Sequence, residues 1–88
     1  MIERIDETTV GDLDGVRVPM GNMLPEGSYT LPDGTEVRGT VATLALPPDG
    51  HAVVGMGSEV TIEGTRWRVT AIERQPGKLG WVQLEKLG

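Results

Sequence analysis

The run Gly57-Ser58-Glu59-Val60-Thr61-Ile62-Glu63-Gly64-Thr65-Arg66-Trp67-Arg68-Val69-Thr70-Ala71-Ile72-Glu73 reads as a β-hairpin. Val60 and Ile62 alternate with Glu59, Thr61 and Glu63, and Trp67, Val69 and Ala71 alternate with Arg66, Arg68 and Thr70. Side chains of a strand point to opposite faces in turn, so each arm has one apolar and one polar face. Glu63-Gly64 falls between the arms, where glycine takes the positive φ that a tight turn demands. Beyond Ala71 the apolar phase slips to Ile72, which predicts a β-bulge where the strand bends round a corner.

Working outward, Gln75-Pro76-Gly77 is a turn and Leu79 to Glu85 a further strand, so the C-terminal third is a meander whose inward phase is Val60, Ile62, Trp67, Val69, Val82 and Leu84. Upstream, Pro25-Glu26-Gly27, Pro32-Asp33-Gly34 and Pro48-Asp49-Gly50 are turns of the same chemistry, proline presetting φ and glycine supplying the positive φ. Between them lie the short segments Tyr29 to Leu31, Glu36 to Leu46 and His51 to Val54, rich in Val, Thr, Leu and Ala. Thirteen glycines and six prolines argue against helices. The expected fold is all-β, a small β-barrel or sandwich of six to seven short antiparallel strands, residues 1–88 forming one domain. Val37, Val41, Leu44, Leu46 and Val53 complete its expected core.

Thr9 to Gly27 resists this pattern. It holds Asp12, Asp14, Gly15, Pro19, Gly21, Asn22 and Pro25 among Val16, Val18, Met20, Met23 and Leu24. Either a strand at Val16 to Val18 leads into an irregular connection, or residues 9–27 project as an arm. On the second reading Met20, Gly21, Asn22, Met23 and Leu24 form an adaptable apolar tip that docks on a neighbouring subunit, since apolar side chains surplus to the core are costly in water.

Charge is uneven. Residues 1–64 carry 11 acidic and 3 basic side chains, whereas residues 65–88 carry 2 acidic and 5 basic. If the two parts end on different surfaces, the domain is electrically polar and suited to head-to-tail contacts through Arg66 and Arg68; alternatively, hairpin neighbours cancel each other. An acidic chain repels nucleic-acid phosphate, which speaks against nucleic-acid binding as the main activity. The sequence has no cysteine, hence no disulfide framework, thiol nucleophile or thiolate metal site. No apolar run approaches the roughly 18 residues of a membrane span, and the first residues lack a signal-peptide pattern, so the expectation is a soluble chain, intracellular where it is made. His51 is the one histidine; it reads as a surface strand residue. Asp12-Leu13-Asp14-Gly15 lacks the remaining ligands of a calcium loop and reads as a turn. No catalytic residue, cofactor site or metal site is predicted.

The segment Gly57 to Val69, followed by Gly80-Trp81-Val82-Gln83-Leu84, resembles the end of the small head-tail connector proteins of tailed bacteriophages, in which Gly-Asp-x-Val-x-Ile-x-Gly precedes an aromatic, a valine, a turn and a Gly-x-Val-x-Leu strand. Glu3 to Thr8, and the strand ending in proline before Asp49-Gly50, also suit that family; Ser58 stands where the family more often has aspartate. The resemblance implies a small β-barrel acting as a head completion, head-closure or stopper protein of the virion neck, assembled in the host cytoplasm. Its implied partners are its own copies in a cyclic homo-oligomer, the portal and adaptor ring, tail proteins, and DNA passing through the channel without sequence-specific binding. A different class also fits the acidic composition: a stand-alone binding module, such as an inhibitor or immunity protein, presenting carboxylates to a basic partner.

Overall fold

The computed structural model describes residues 1–88. The chain forms eight strands: β1 (Ile2–Asp6), β2 (Val10–Leu13), β3 (Val16–Thr30), β4 (Glu36–Leu46), β5 (Gly50–Val54), β6 (Glu59–Ile62), β7 (Thr65–Glu73) and β8 (Trp81–Lys86). They make two antiparallel four-stranded sheets. Sheet one has the order β1-β8-β7-β6 and sheet two the order β2-β3-β4-β5.

Sheet one follows from the hairpin pattern. Ile62 faces Thr65 across a two-residue turn in which Glu63 and Gly64 have φ of 48° and 82°. Two successive positive φ values match the right-handed twist of the flanking strands. The β7–β8 register shifts between Val69 and Ala71, just upstream of the Ala71-Ile72 step where the bulge is expected; Ala71 thus faces Gln83 rather than the core, and Ile72 faces Val82. Val60, Ile62, Trp67, Val69, Val82 and Leu84 are all buried, Trp67 at 1% exposure. β1 then adds to the far side of β8, Ile2 facing Glu85 and Asp6 facing Trp81.

Sheet two corrects the expectation of an arm. Residues 9–27 do not project: they supply β2 and most of β3, bringing the strand count to eight. The turn expected within Asp12-Leu13-Asp14-Gly15 is a two-residue hairpin turn at Asp14-Gly15, with φ of 55° and 86°, joining Leu13 to Val16. The proline and glycine residues of this stretch sit where the ladder does not need them. Pro19 is opposite Val10 on β2, and pairing with β4 starts one residue later at Met20. Gly21-Asn22 and Pro25-Glu26 lie in the two register shifts of the β3–β4 ladder, positions where an extra residue or a missing N–H is tolerated.

The apolar faces of the two sheets close on one another. Met20 and Met23, at 3% and 2% exposure, belong to this core with Leu13, Val18, Leu44 and Trp67. They are not surplus: Met20 faces Leu44 and Met23 faces Ala42 on the inner side of sheet two. On β5 Val54 turns inward and Val53 outward, contrary to the expected phase. Val41 and Tyr29 are buried outside the main cluster.

Candidate functional site

The residues expected to form an interface separate into three groups. Met20 and Met23 are core residues of the chain itself and offer nothing to a partner. Gly21 and Asn22 form an exposed bulge, and Leu24 is 55% exposed just beyond it. Arg66 and Arg68 stand on the outer face of sheet one, both paired with Glu59, at 3.4 Å and 3.0 Å.

Those pairs are part of a wider pattern. Arg4 pairs with Asp6 at 3.1 Å and lies 4.8 Å from the Trp81 ring centre, while Lys86 reaches Asp14 at 2.7 Å. Four of the eight basic residues are thus matched to acids nearby, and the separation of charge along the sequence becomes local cancellation in space. Exposed pairs of this kind contribute on the order of 1 kcal/mol or less each. Their effect is to leave the outer face of sheet one polar and nearly balanced.

Sheet two is different. Leu24 is opposite Val41, and Thr43 is opposite Val53. Val41 and Thr43 are two apart on β4 and share a face, so Leu24 and Val53 flank β4 on the outside of the sheet. Both are about half exposed, at 55% and 50%, and no charged residue stands between them in this register. Sheet two thus has an apolar strip beside the Gly21-Asn22 bulge, whereas on the outer face of sheet one the exposed Ile2 stands next to charged neighbours.

Two open depressions complete the surface. One, of about 420 Å³, lies where the β3–β4 ladder has parted, between Arg17 and Pro19 on one side and the Pro47-Pro48 turn on the other; His51 and Asp49 are on its lining. The second, of about 440 Å³, lies between Leu31-Pro32-Asp33 and Met56-Gly57, with Glu59 and Arg68 in its wall. His51 and Glu59 therefore line different depressions, and no cluster of three or more His, Cys, Asp or Glu side chains forms anywhere. Asp49 and Arg17 accompany His51 in an open, exposed cleft.

One polar residue of structural weight was not singled out in the sequence. Glu7, between β1 and β2, accepts hydrogen bonds from the N–H of Met23 at 2.9 Å and of Gly80 at 3.0 Å, one on each carboxylate oxygen. These bonds, the first the stronger influence, hold its carboxyl below the usual glutamate range, helped by Arg74 and opposed by partial desolvation. Ser58 is the buried polar side chain: its hydroxyl accepts from Gly55 N–H at 2.9 Å, while its own N–H donates to Gly55 carbonyl at 3.0 Å. A short oxygen acceptor at this place closes the β5–β6 turn. An aspartate would offer the same acceptor.

Set beside known proteins, the chain matches no family model, no curated protein and no solved structure.

Proposed function

We propose that the chain is a ring-forming head-tail connector of the phage neck, a head-closure or stopper protein that joins the DNA-filled head to the tail. The observation that carries this reading is the Gly57 to Val69 and Gly80 to Leu84 pattern, which occupies three successive strands of one sheet, β6, β7 and β8, with Ser58 closing the turn that leads into it. A small two-sheet barrel is the fold that the resemblance implies. The charge pairs on the outer face of sheet one and the apolar strip on sheet two give two unlike surfaces, which suits contact between subunits. A net charge of −5 suits a channel wall along which DNA slides without adhering. Assembly contacts fall on Leu24, Val53 and the Gly21-Asn22 bulge, because these are the exposed members of the strip.

The test is mass by light scattering over a range of concentrations, alone and with the portal, adaptor and tail proteins encoded nearby. Closed rings, alone or on the adaptor, are the expected result. A monomer that binds one basic protein one to one would instead identify an inhibitor or immunity protein.

A further inference from the structure

Sheet two has two free edges, and they are complementary. β2 pairs only with β3, and β5 only with β4. Natural sheets blunt exposed edges with charge, proline or bulges, since unpaired N–H and C=O groups invite another strand. The edges of sheet one follow that rule: β1 carries Glu3, Arg4 and Asp6, and β6 carries Glu59 with Glu63 directly after it. The edges of sheet two are less guarded: β2 has Asp12 as its one charge, and β5 has no proline, no bulge and no charged residue but a histidine, with Asp49 directly before it. Each presents an exposed valine, Val10 at 48% and Val53 at 50%, as β1 presents Ile2 beside its three charges.

We infer that copies of this chain join head to tail by pairing β2 of one copy with β5 of the next, extending sheet two from subunit to subunit. It rests on the ring reading above and names the contact that closes the ring. An antiparallel sheet with an even number of strands has edge strands running in opposite directions. β2 of a second copy, brought to β5 by rotation alone, is therefore already antiparallel to it.

Register follows from burial and chemistry. On β2 the outward residues are Val10 and Asp12 and the inward ones Gly11 and Leu13; on β5 His51 and Val53 point outward, and Val54 is buried. With Val10 opposite Val53, Asp12 falls opposite His51, outward side chains meet outward ones, and a carboxylate faces an imidazole. A shift of two residues in one direction sets Asp12 against Asp49; in the other it sets Asp12 against Val53. Asp12 spends only Oδ1 on its own turn, accepting from Gly15 N–H at 2.7 Å. The junction also carries the apolar strip onward, from Leu24 and Val53 of one copy to Val10 of the next.

The experiment uses Val10→Cys/Val53→Cys in a chain that otherwise has no cysteine. Within one copy the two positions are on opposite edges of a four-stranded sheet, about 14 Å apart at the usual strand spacing, too far for a disulfide. Mild oxidation should give a ladder of covalent multimers ending at the ring, whereas Val53→Cys/Leu79→Cys, with Leu79 more exposed than Val10 but in a loop, should not. Val53→Lys should raise the concentration needed for assembly at least tenfold with unchanged Trp67 fluorescence. Rings without a specific ladder and unaffected by Val53→Lys overturn the edge pairing and leave the ring reading standing. Monomer at every concentration, with no ladder, overturns both.

Discussion

The Glu7 carboxylate accepts the N–H of Met23 at 2.9 Å, so a side chain just past the end of β1 satisfies the amide that the bulge of β3 releases in the other sheet. Its second oxygen takes Gly80 N–H, and Glu7 N–H donates to Gly80 carbonyl at 2.8 Å. One residue thereby pins the entry to β8 and the bulge of β3 at the same corner.

Acid should loosen that corner. Glu7 has a folded pKa below its unfolded value, so its contribution is fully present above the ordinary glutamate value of about 4.3 and is lost as pH falls through the lower folded value. Asp33 acts in the same sense, held low by the N–H of Thr35 at 2.9 Å. Urea midpoints measured from pH 6 down to pH 2.5 should decline at the acid end. In Glu7→Gln/Asp33→Asn the midpoint should start lower and the decline should be shallower; an equally steep one would assign acid sensitivity to other carboxylates.

Trp67→Ala should cost about 3–5 kcal/mol, the range for removing a buried aromatic. That is a large fraction of the roughly 5–15 kcal/mol expected of a domain. Denaturant unfolding checks it, and native Trp67 emission should be that of a buried indole, with Trp81 replaced by Phe to isolate the signal.

Met20→Ser and Met23→Ser should each destabilise the monomer by about 2–5 kcal/mol, as large-to-small changes in a packed core do. Leu24→Ser should change stability by about 0.5 kcal/mol or less, as for most surface substitutions, while weakening assembly. Monomer stability and oligomer mass, measured on the same three variants, separate core from surface within five residues.

Gly80→Ala should destabilise by about 1–3 kcal/mol through overpacking. A Cβ at this position would lie 2.5 Å from the Glu73 carbonyl oxygen and 2.5 Å from the Met23 sulfur, and the backbone contact cannot move aside. Calorimetry should show the loss; an unchanged melting temperature would mean that the corner relaxes freely.

Ser58→Ala should cost about 1–3 kcal/mol, because it strands the buried Gly55 N–H. Ser58→Asp should keep the turn while burying a charge, and so lose stability mainly through desolvation. Comparing the two by urea denaturation tells whether the acceptor or the hydroxyl matters.

What could be read from the sequence was what repeats with period two. The β6–β7 hairpin and its Glu63-Gly64 turn follow from strict alternation, and the break in alternation at Ala71-Ile72 signals a bulge that the structure sets slightly upstream, between Val69 and Ala71. Of β3 only the ends, Val16 to Val18 and the segment from Tyr29, were legible as strand; its continuity escaped because Pro19, Gly21, Asn22 and Pro25 look like breaks, and the pairing with β4 shows that Gly21-Asn22 and Pro25 fall in register shifts. The phase of β5 was equally hidden: Ala52-Val53-Val54 is a continuous apolar run, so which valine turns inward depends on pairing with Ala42 and Thr43. The exposed strip depends on that phase, and so no part of it except Leu24 could be placed from the sequence. Arg66 and Arg68 were located correctly on the outer face of the hairpin, but their common partner Glu59 ties them to the molecule's own surface.

The adjacency of β1 and β8 carries a consequence for how the protein is made. Sheet two and the β6–β7 hairpin pair strands close in sequence, and their contacts can form as the chain emerges from the ribosome. Ile2 to Asp6 must wait for Trp81 to Lys86, far along the chain. Until then both β1 and the open side of β7 are unpaired strand edges, the condition under which nascent chains stick to one another. Closure of sheet one is therefore expected to be the late, slow step of folding, with vulnerability to aggregation greatest before β8 docks between β1 and β7.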